Sequence, residues 1–265
     1  MDWHKAMHLD QIDDHRFTGH VDEHWTSLQG AHGGVVAALA VTASQSVIAD
    51  LGVDPATTLR AATFGYVRGN SLGDLSFDVE VIRKGRALVS TNVTVSQEGR
   101  TTTVARLHHS PPWEGMNYSA APAPPERPEG TERITWGDTP AHLNSVEAHL
   151  HPATKFLAGN ERAEWLAWSR PLTGQTFDTP WLVMYGDYFP PAVFSKATEL
   201  QRAVTIEYSI QIHSAAGSWK LEDGEYLPSQ VHAFHSHEGF AVEDGWIWLP
   251  DGTLLATMRQ TRLAG

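Results

Sequence analysis

Three polar side chains stand in apolar company. Asp187 lies in Met184-Tyr185-Gly186-Asp187-Tyr188-Phe189, with Trp181 and Val183 just upstream. A carboxylate in such surroundings is poorly solvated, so it has partners or performs chemistry; the plain alternative is an Asp turned to solvent at a helix end. Thr205 belongs to Ala203–His213, whose alternation puts Val204, Ile206, Tyr208, Ile210 and Ile212 on one face. Thr205, Glu207, Ser209, Gln211 and His213 fall on the other. For Thr205 to act, that polar face must look into a cleft rather than bulk water. Gln260 shares a face with Leu254, Ala256 and Met258, so its amide is buried and must find partners. Those are a neighbouring backbone, or a water or substrate carbonyl that the amide orients.

The elements that would position these groups fall into two similar halves. Residues 113–131 include Ala121-Pro122-Ala123-Pro124-Pro125-Glu126-Arg127-Pro128, a Pro-rich linker or surface excursion between residues 1–112 and 132–265. In the first half His32-Gly33-Gly34 opens an Ala-rich apolar run, Val35–Val41, that predicts a buried helix. Strands are expected at Leu59–Arg68, Leu75–Arg83, Ala87–Ser96 and Thr101–His108. In the second, Ala163–Ser169 predicts a strand. Asp178-Thr179-Pro180 then caps a helix over Trp181–Phe189, stopped by Pro190-Pro191. Strands follow at Ala203–His213, Gln230–His235, Gly245–Leu249 and Thr253–Leu263. Each half thus reads as an α+β unit in which a central helix is wrapped by an antiparallel sheet, the hotdog arrangement. Periodicity by itself gives an α+β fold with a duplication; two such units in one chain suggest a double hotdog whose sheets pair edge to edge.

Composition removes several function classes. There is no cysteine, which excludes disulfides, thiol catalysis and Cys-ligated zinc. A net charge of −12 argues against sequence-independent nucleic-acid binding, though a local basic cluster can still hold one phosphate group. Met1-Asp2-Trp3-His4-Lys5 has no signal-peptide core, and no later stretch is expected to approach a membrane span. The expectation is a cytoplasmic protein, with no membrane partner.

The order of these motifs resembles a known family. A helix Asp, then Thr205-Ile206-Glu207-Tyr208-Ser209 on a strand, then Ala256-Thr257-Met258-Arg259-Gln260 on the last strand is similar to type II acyl-CoA thioesterases, which are double hotdogs. His32-Gly33-Gly34-Val35-Val36-Ala37-Ala38-Leu39 resembles that family's Gly-Gly helix start, and Phe64–Arg68 and Val81–Gly85 resemble its next strands. Glu207-Tyr208 stands where many relatives have Asp-His. The resemblance implies hydrolysis of an acyl-CoA to free acid and CoA, in fatty acid metabolism, by a water that Asp187, Thr205 and Gln260 hold and activate. No cofactor and no metal are implied. A fused pair of units can stand alone or form a homo-oligomer.

The chemistry suits these residue types. A thioester carbonyl is already electrophilic and a thiolate leaves readily, so a carboxylate acting on a desolvated water suffices. Backbone N–H groups at Gly33 and Gly34 are candidate oxyanion donors, unless the glycines only permit close packing. Arg68, Arg83, Lys84 and Arg86 form a basic hairpin, a candidate grip on the nucleotide's phosphates or else a solvated turn. The first half reads as silent: Val41 stands where His-Gly-Gly hotdogs carry a carboxylate, and the places of Thr205 and Gln260 fall near Arg60 and Leu107. One active site per chain is expected. Trp165, Trp168, Trp181, Trp246 and Trp248 line an acyl tunnel or fill the core.

The same residues admit rival readings. Gly186-Asp187-Tyr188-Phe189-Pro190 echoes the Gly-Asp-x-Asn-Pro-x-His pattern of acyl-CoA hydratases and dehydratases, but Phe189 and Ala192 replace its Asn and His. His235 and His237 with Glu243 sketch a metal site, against which a solvated strand end is the simpler reading. A non-catalytic acyl-CoA-binding or scaffold protein would keep the fold and lose the chemistry.

Overall fold

The computed structural model describes residues 2–137, 140–172, 175–214 and 219–265. Helix α1 (Trp3–Ala6) and strands β1 (Leu9–Gln11) and β2 (Arg16–Val21) precede a small ribbon, β3 (Thr26–Ser27) and β4 (Gly30–Ala31). Helix α2 (Gly33–Asp50) leads into β5 (Thr58–Tyr66), β6 (Gly73–Lys84), β7 (Val89–Gln97) and β8 (Arg100–Ser110). Then come β9 (Val146–Leu150), β10 (Glu164–Pro171), α3 (Thr179–Gly186) and α4 (Val193–Lys196). The chain ends with β11 (Ala203–Ile212), β12 (Leu227–His237), β13 (Phe240–Trp248) and β14 (Leu254–Ala264).

Twelve strands form one antiparallel sheet in the order β1-β2-β6-β7-β8-β5-β11-β14-β13-β12-β10-β9. The order is palindromic about the β5–β11 seam, as a double hotdog requires. There Tyr208 pairs with Phe64, their rings stack at 5.6 Å, and both are fully buried, each burial contributing roughly 1.5–3 kcal/mol. Three ladder irregularities repeat between the halves. Arg60 in β5 and Ile206 in β11 are extra residues against β8 and β14. Ile82 in β6 matches Phe234 in β12, and Thr102 in β8 matches Leu255 in β14. Bulges re-aim side chains, so their recurrence at equivalent register marks two copies of one unit.

Sequence patterning missed β1, β2 and β9, which are short strands at or next to the outer edges. It also truncated β12 and β13. Gly245 broke the pattern of β13, yet it is needed there because a Cβ would run into the Met258 side chain. Residues 111–132 carry no helix or strand, and Arg127 lies over the Tyr226 ring at 4.5 Å, holding the Pro-rich segment against the second half.

Helix α3 and the stretch Gly34–Val41 of α2 are buried on all sides and almost wholly apolar, as buried helices must be. Helix α2 corrects the expectation that no stretch approaches a membrane span. Its 18 residues are long and apolar enough to cross one, because Ala, Val and Ile continue past Val41, and 67% of that window is buried inside the fold. Helix α3 is capped as predicted, Asp178 accepting from the Trp181 N–H at 2.8 Å. It ends at Gly186 rather than Phe189, with Asp187 as its C-cap. Gly186 is required because a Cβ would take the place of the Tyr208 hydroxyl, which donates to the Val183 carbonyl at 2.9 Å.

Candidate active site

The C-terminal end of α3 meets the N-terminal end of α2. Gly34 makes this approach feasible, since a Cβ there would lie 2.7 Å from both the Met184 carbonyl and the His32 ring. A Cβ at Gly33 would come within 3.0 Å of Asp187 Oδ2 and 3.2 Å of the Tyr66 hydroxyl. The Tyr66 O–H instead donates to the Gly33 carbonyl at 3.0 Å.

Asp187 sits at this junction, 7% exposed. A carboxylate at the end of α3 faces the negative pole of its own helix, while the start of α2 offers the positive pole. Burial pushes its pKa above the ordinary carboxylate value; the Arg262 charge, and hydrogen bonds from the Gln260 side chain and the Gly34 amide, pull it back down. Gly34 packs directly against Asp187, a Cβ there lying 3.1 Å from the Asp187 Cβ. The Gly33 amide opens α2 on the wall of the adjoining cavity.

Thr205 occupies a face that plain alternation did not predict. The extra residue at Ile206 resets the phase of β11, so Thr205 lies on the side of Tyr208 rather than opposite it. Its hydroxyl then reaches Gln260, donating to Oε1 at 3.0 Å, and the Gln260 amide donates to the Gly186 carbonyl at 3.3 Å. Asp187, Thr205 and Gln260 are thus brought together. The same bulge corrects the silent half. Arg60 is its extra residue, so the counterpart of Thr205 is Leu59, while Leu107 matches Gln260 as expected. Val41 lies as far beyond Gly33 as Asp187 lies beyond Thr179.

Sequence reasoning missed Arg262. It is 5% exposed, donates from Nη1 to Thr205 Oγ1 at 2.6 Å and from Nε to Glu243 at 2.8 Å, and lies 3.6 Å from Asp187 Oδ1. Glu243, 1% exposed, also accepts from the Ala192 N–H at 2.6 Å. The signal was available: Arg262 shares a face with Met258 and Gln260, and Glu243 with Ala241 and Ile247. Opposite charges on buried faces of neighbouring strands must pair. Glu243 is thereby committed away from His235 and His237, which are exposed, and among the described residues no His/Asp/Glu cluster has the geometry of a metal site.

Two histidines complete the surroundings. His32 donates to the Asp187 carbonyl at 2.9 Å, and its ring stacks on His142 at 4.0 Å. His142 Nδ1 meets the Thr26 carbonyl at 3.0 Å. Burial lowers the pKa of His32 to about 4 and that of His142 to about 3, so both rings are neutral at pH 7.

A cavity of about 500 Å³ opens beside Asp187, Thr205 and Arg262. Its walls are largely apolar, with Trp136, Leu143, Phe156, Phe189 and Phe194 among them. None of the five tryptophans singled out from the sequence lines it; Trp165, Trp181 and Trp248 are core. Arg68 lies on the rim and donates to the Thr101 carbonyl at 2.8 Å. Arg83 and Lys84 do not join it. They end β6 next to the start of β7, whereas Arg68 pairs with Thr102 at the start of β8, the opposite end of these antiparallel strands. The basic hairpin is two separate features.

Residues 21–109 match the acyl-CoA thioesterase N-terminal domain, and residues 118–264 match the acyl-CoA thioesterase C-terminal domain. An uncharacterised protein of Mycobacterium tuberculosis is 26% identical over 203 residues, covering 68% of this chain and 69% of that one. A hot dog fold structure from Alicyclobacillus acidocaldarius superposes with a TM-score of 0.85 at 20% identity, covering 98% of this chain and 97% of the other. An acyl-CoA thioesterase II from Mycobacterium marinum gives 0.77 at 18% identity, covering 98% and 97%. At these identities the structural likeness speaks for the fold.

Proposed function

The chain belongs to the acyl-CoA thioesterase family, and from that premise we propose that it hydrolyses acyl-CoA thioesters with a water activated by Asp187. The supporting observation is a buried carboxylate at the foot of an apolar cavity, beside a hydroxyl and an amide already bonded to each other.

In this reading the acyl group enters the cavity and presents its carbonyl to Asp187. A water held by the Asp187 carboxylate and the remaining lone pair of Thr205 attacks the carbonyl carbon. Its proton passes to Asp187 as the new C–O bond forms. The oxyanion accepts from the Gly33 N–H at the positive end of α2. Collapse breaks the C–S bond, the electron pair leaves with sulfur, and Asp187 returns its proton to the thiolate. Gln260 holds the Thr205 hydroxyl and the Asp187 carboxylate in register. Arg68 at the rim is placed to meet a CoA phosphate, and Arg83 and Lys84 have no part in it.

We further assign residues 1–112 and 132–265 as the two hotdog units, the second carrying the one active site, with 113–131 as a surface connection. A cytoplasmic protein, alone or as a homo-oligomer, accords with a CoA thioester substrate. Thiol release from a panel of straight, branched and aromatic acyl-CoA thioesters tests the assignment. Turnover of at least one class by wild type, lost in Asp187→Ala, is expected; binding without release, or equal rates in both proteins, would overturn it.

A further inference from the structure

We infer that Arg262, clamped by Glu243, is a positioning residue for this hydrolysis, fixing the direction of the Thr205 hydroxyl and supporting the charge of Asp187. This rests on the hydrolytic reading above and adds to it a charged pair that the Asp/Thr/Gln set does not include.

The duplication supplies an internal control. Aligned on the bulges, Arg262 corresponds to His109, since Arg262 pairs with Thr205 and His109 with Leu59. Glu243, opposite Gln260, corresponds to Thr91, opposite Leu107. Were a buried Arg–Glu pair needed to build a hotdog unit, the first half would need it too. There the ion pair is absent together with all three polar groups: Val41, Leu59 and Leu107 replace Asp187, Thr205 and Gln260. A buried ion pair seldom adds net stability, because desolvation offsets its attraction. Its presence in one copy, touching the reactive groups of that copy, points to the reaction.

Hydrogen-bond direction says what it does. A guanidinium has only donors, so the 2.6 Å contact makes Thr205 Oγ1 an acceptor. The one hydroxyl proton of Thr205 must then point at Gln260 Oε1, 3.0 Å away. That turns the Gln260 amide N–H groups towards Gly186 and Asp187, and leaves one Thr205 lone pair for a water. Without Arg262 the hydroxyl is free to rotate. Glu243 fixes the guanidinium by accepting from Nε, and is itself fixed by the Ala192 N–H. The 3.6 Å separation from Asp187 transmits charge without locking the carboxylate in a close ion pair. The other groups facing Asp187 are His32 and the Gly34 amide from the start of α2, His142 from the turn before β9, Gln260 from β14, Tyr66 from β5 and Tyr208 from β11. At neutral pH both histidines are neutral and burial keeps both tyrosines protonated. Arg262 is the cation of this set.

The experiment compares pH profiles of kcat and kcat/KM for wild type, Arg262→Lys, the double variant Glu243→Gln/Arg262→Met, and Asp187→Asn, on the best acyl-CoA of the panel. Lysine keeps the buried charge but cannot serve Glu243, Thr205 and Asp187 at once. Arg262→Lys should therefore lose about tenfold or more in kcat with KM little changed and the acid limb close to wild type. The double variant removes both charges and leaves neither unpaired. Its acid limb should rise by about one pH unit or more. A double variant with the wild-type acid limb, or Arg262→Lys with wild-type kcat, overturns the inference even where Asp187→Asn is inactive. Equal turnover by Asp187→Asn and wild type would remove the hydrolytic reading itself, and this inference with it. Should the double variant not fold, the kcat of Arg262→Lys decides.

Discussion

Thr205 Oγ1 lies 3.0 Å from Gln260 Oε1 because β11 carries one residue more than β14 opposite Ile206. In a regular strand Thr205 would face away from Gln260. Thr205→Val keeps shape and removes both hydrogen bonds, so kcat should fall by roughly a hundredfold with little change in KM. Thr205→Ser, which restores the hydroxyl, should recover most of the rate. Steady-state thiol release checks both; a Val variant as active as wild type would show that the hydroxyl takes no part.

The two glycines at the start of α2 should fail differently. A Cβ at Gly33 meets the Asp187 carboxyl and the Tyr66 ring, so Gly33→Ala is expected to cut kcat more than tenfold while the fold survives. At Gly34 the obstacle is backbone, the Met184 carbonyl. Gly34→Ala should cost about 1–3 kcal/mol of stability as well, read as a lower Tm by calorimetry.

Much of the fold was legible in the sequence, and the reasons are specific. Long alternating strands such as β11 and β14, the Gly-Gly start of α2 and the Asp178 cap of α3 carry strong local signals. The short strands β1, β2 and β9 do not, and Gly245 hides β13 because its cause, the Met258 side chain, comes from another strand. Of the site, Asp187 and Gln260 were visible as polar groups in apolar runs. Thr205 was picked out from the order of motifs while its face was misjudged, since a bulge is set by the partner strand. Arg262 carried no decisive signal within its own strand, because its partner Glu243 lies on a different one.

The pH dependence has a definite sign. Burial raises the pKa of Asp187, and a general base must be ionised, so kcat/KM should fall as pH drops through a value above the ordinary carboxylate range. His32 and His142, at about 4 and about 3, should not give a limb near neutrality. The same shift bears on stability. A carboxyl whose folded pKa lies above its unfolded value favours folding at low pH and loses that contribution as pH rises through the folded value. Asp187→Asn is therefore expected to melt no lower than wild type at pH 7, while activity is lost. A markedly lower Tm would indicate a structural carboxylate.

His109, the counterpart of Arg262, offers a test away from the chemistry. It is buried without a hydrogen-bond partner among the described residues on either ring nitrogen, and burial lowers its pKa to about 4. A histidine depressed in the folded state contributes stability that is present above the unfolded value near 6.5 and lost as pH falls towards 4. His109→Leu removes an unsatisfied polar group and this titration together. It should match or exceed wild-type Tm at pH 7 and lose less of it between pH 6.5 and 4. An unchanged pH dependence would place the titration elsewhere.

Whether the new oxygen of the product acid comes from water or from the Asp187 carboxylate can be decided by following oxygen. With enzyme in excess over acyl-CoA, one turnover is run in water enriched in oxygen-18, and both the product acid and the peptide containing Asp187 are weighed by mass spectrometry. Activation of water predicts one heavy oxygen in every product carboxylate and none in Asp187. Product without the label, with the heavy oxygen found in the Asp187 carboxyl, would mean a covalent anhydride and contradict the account.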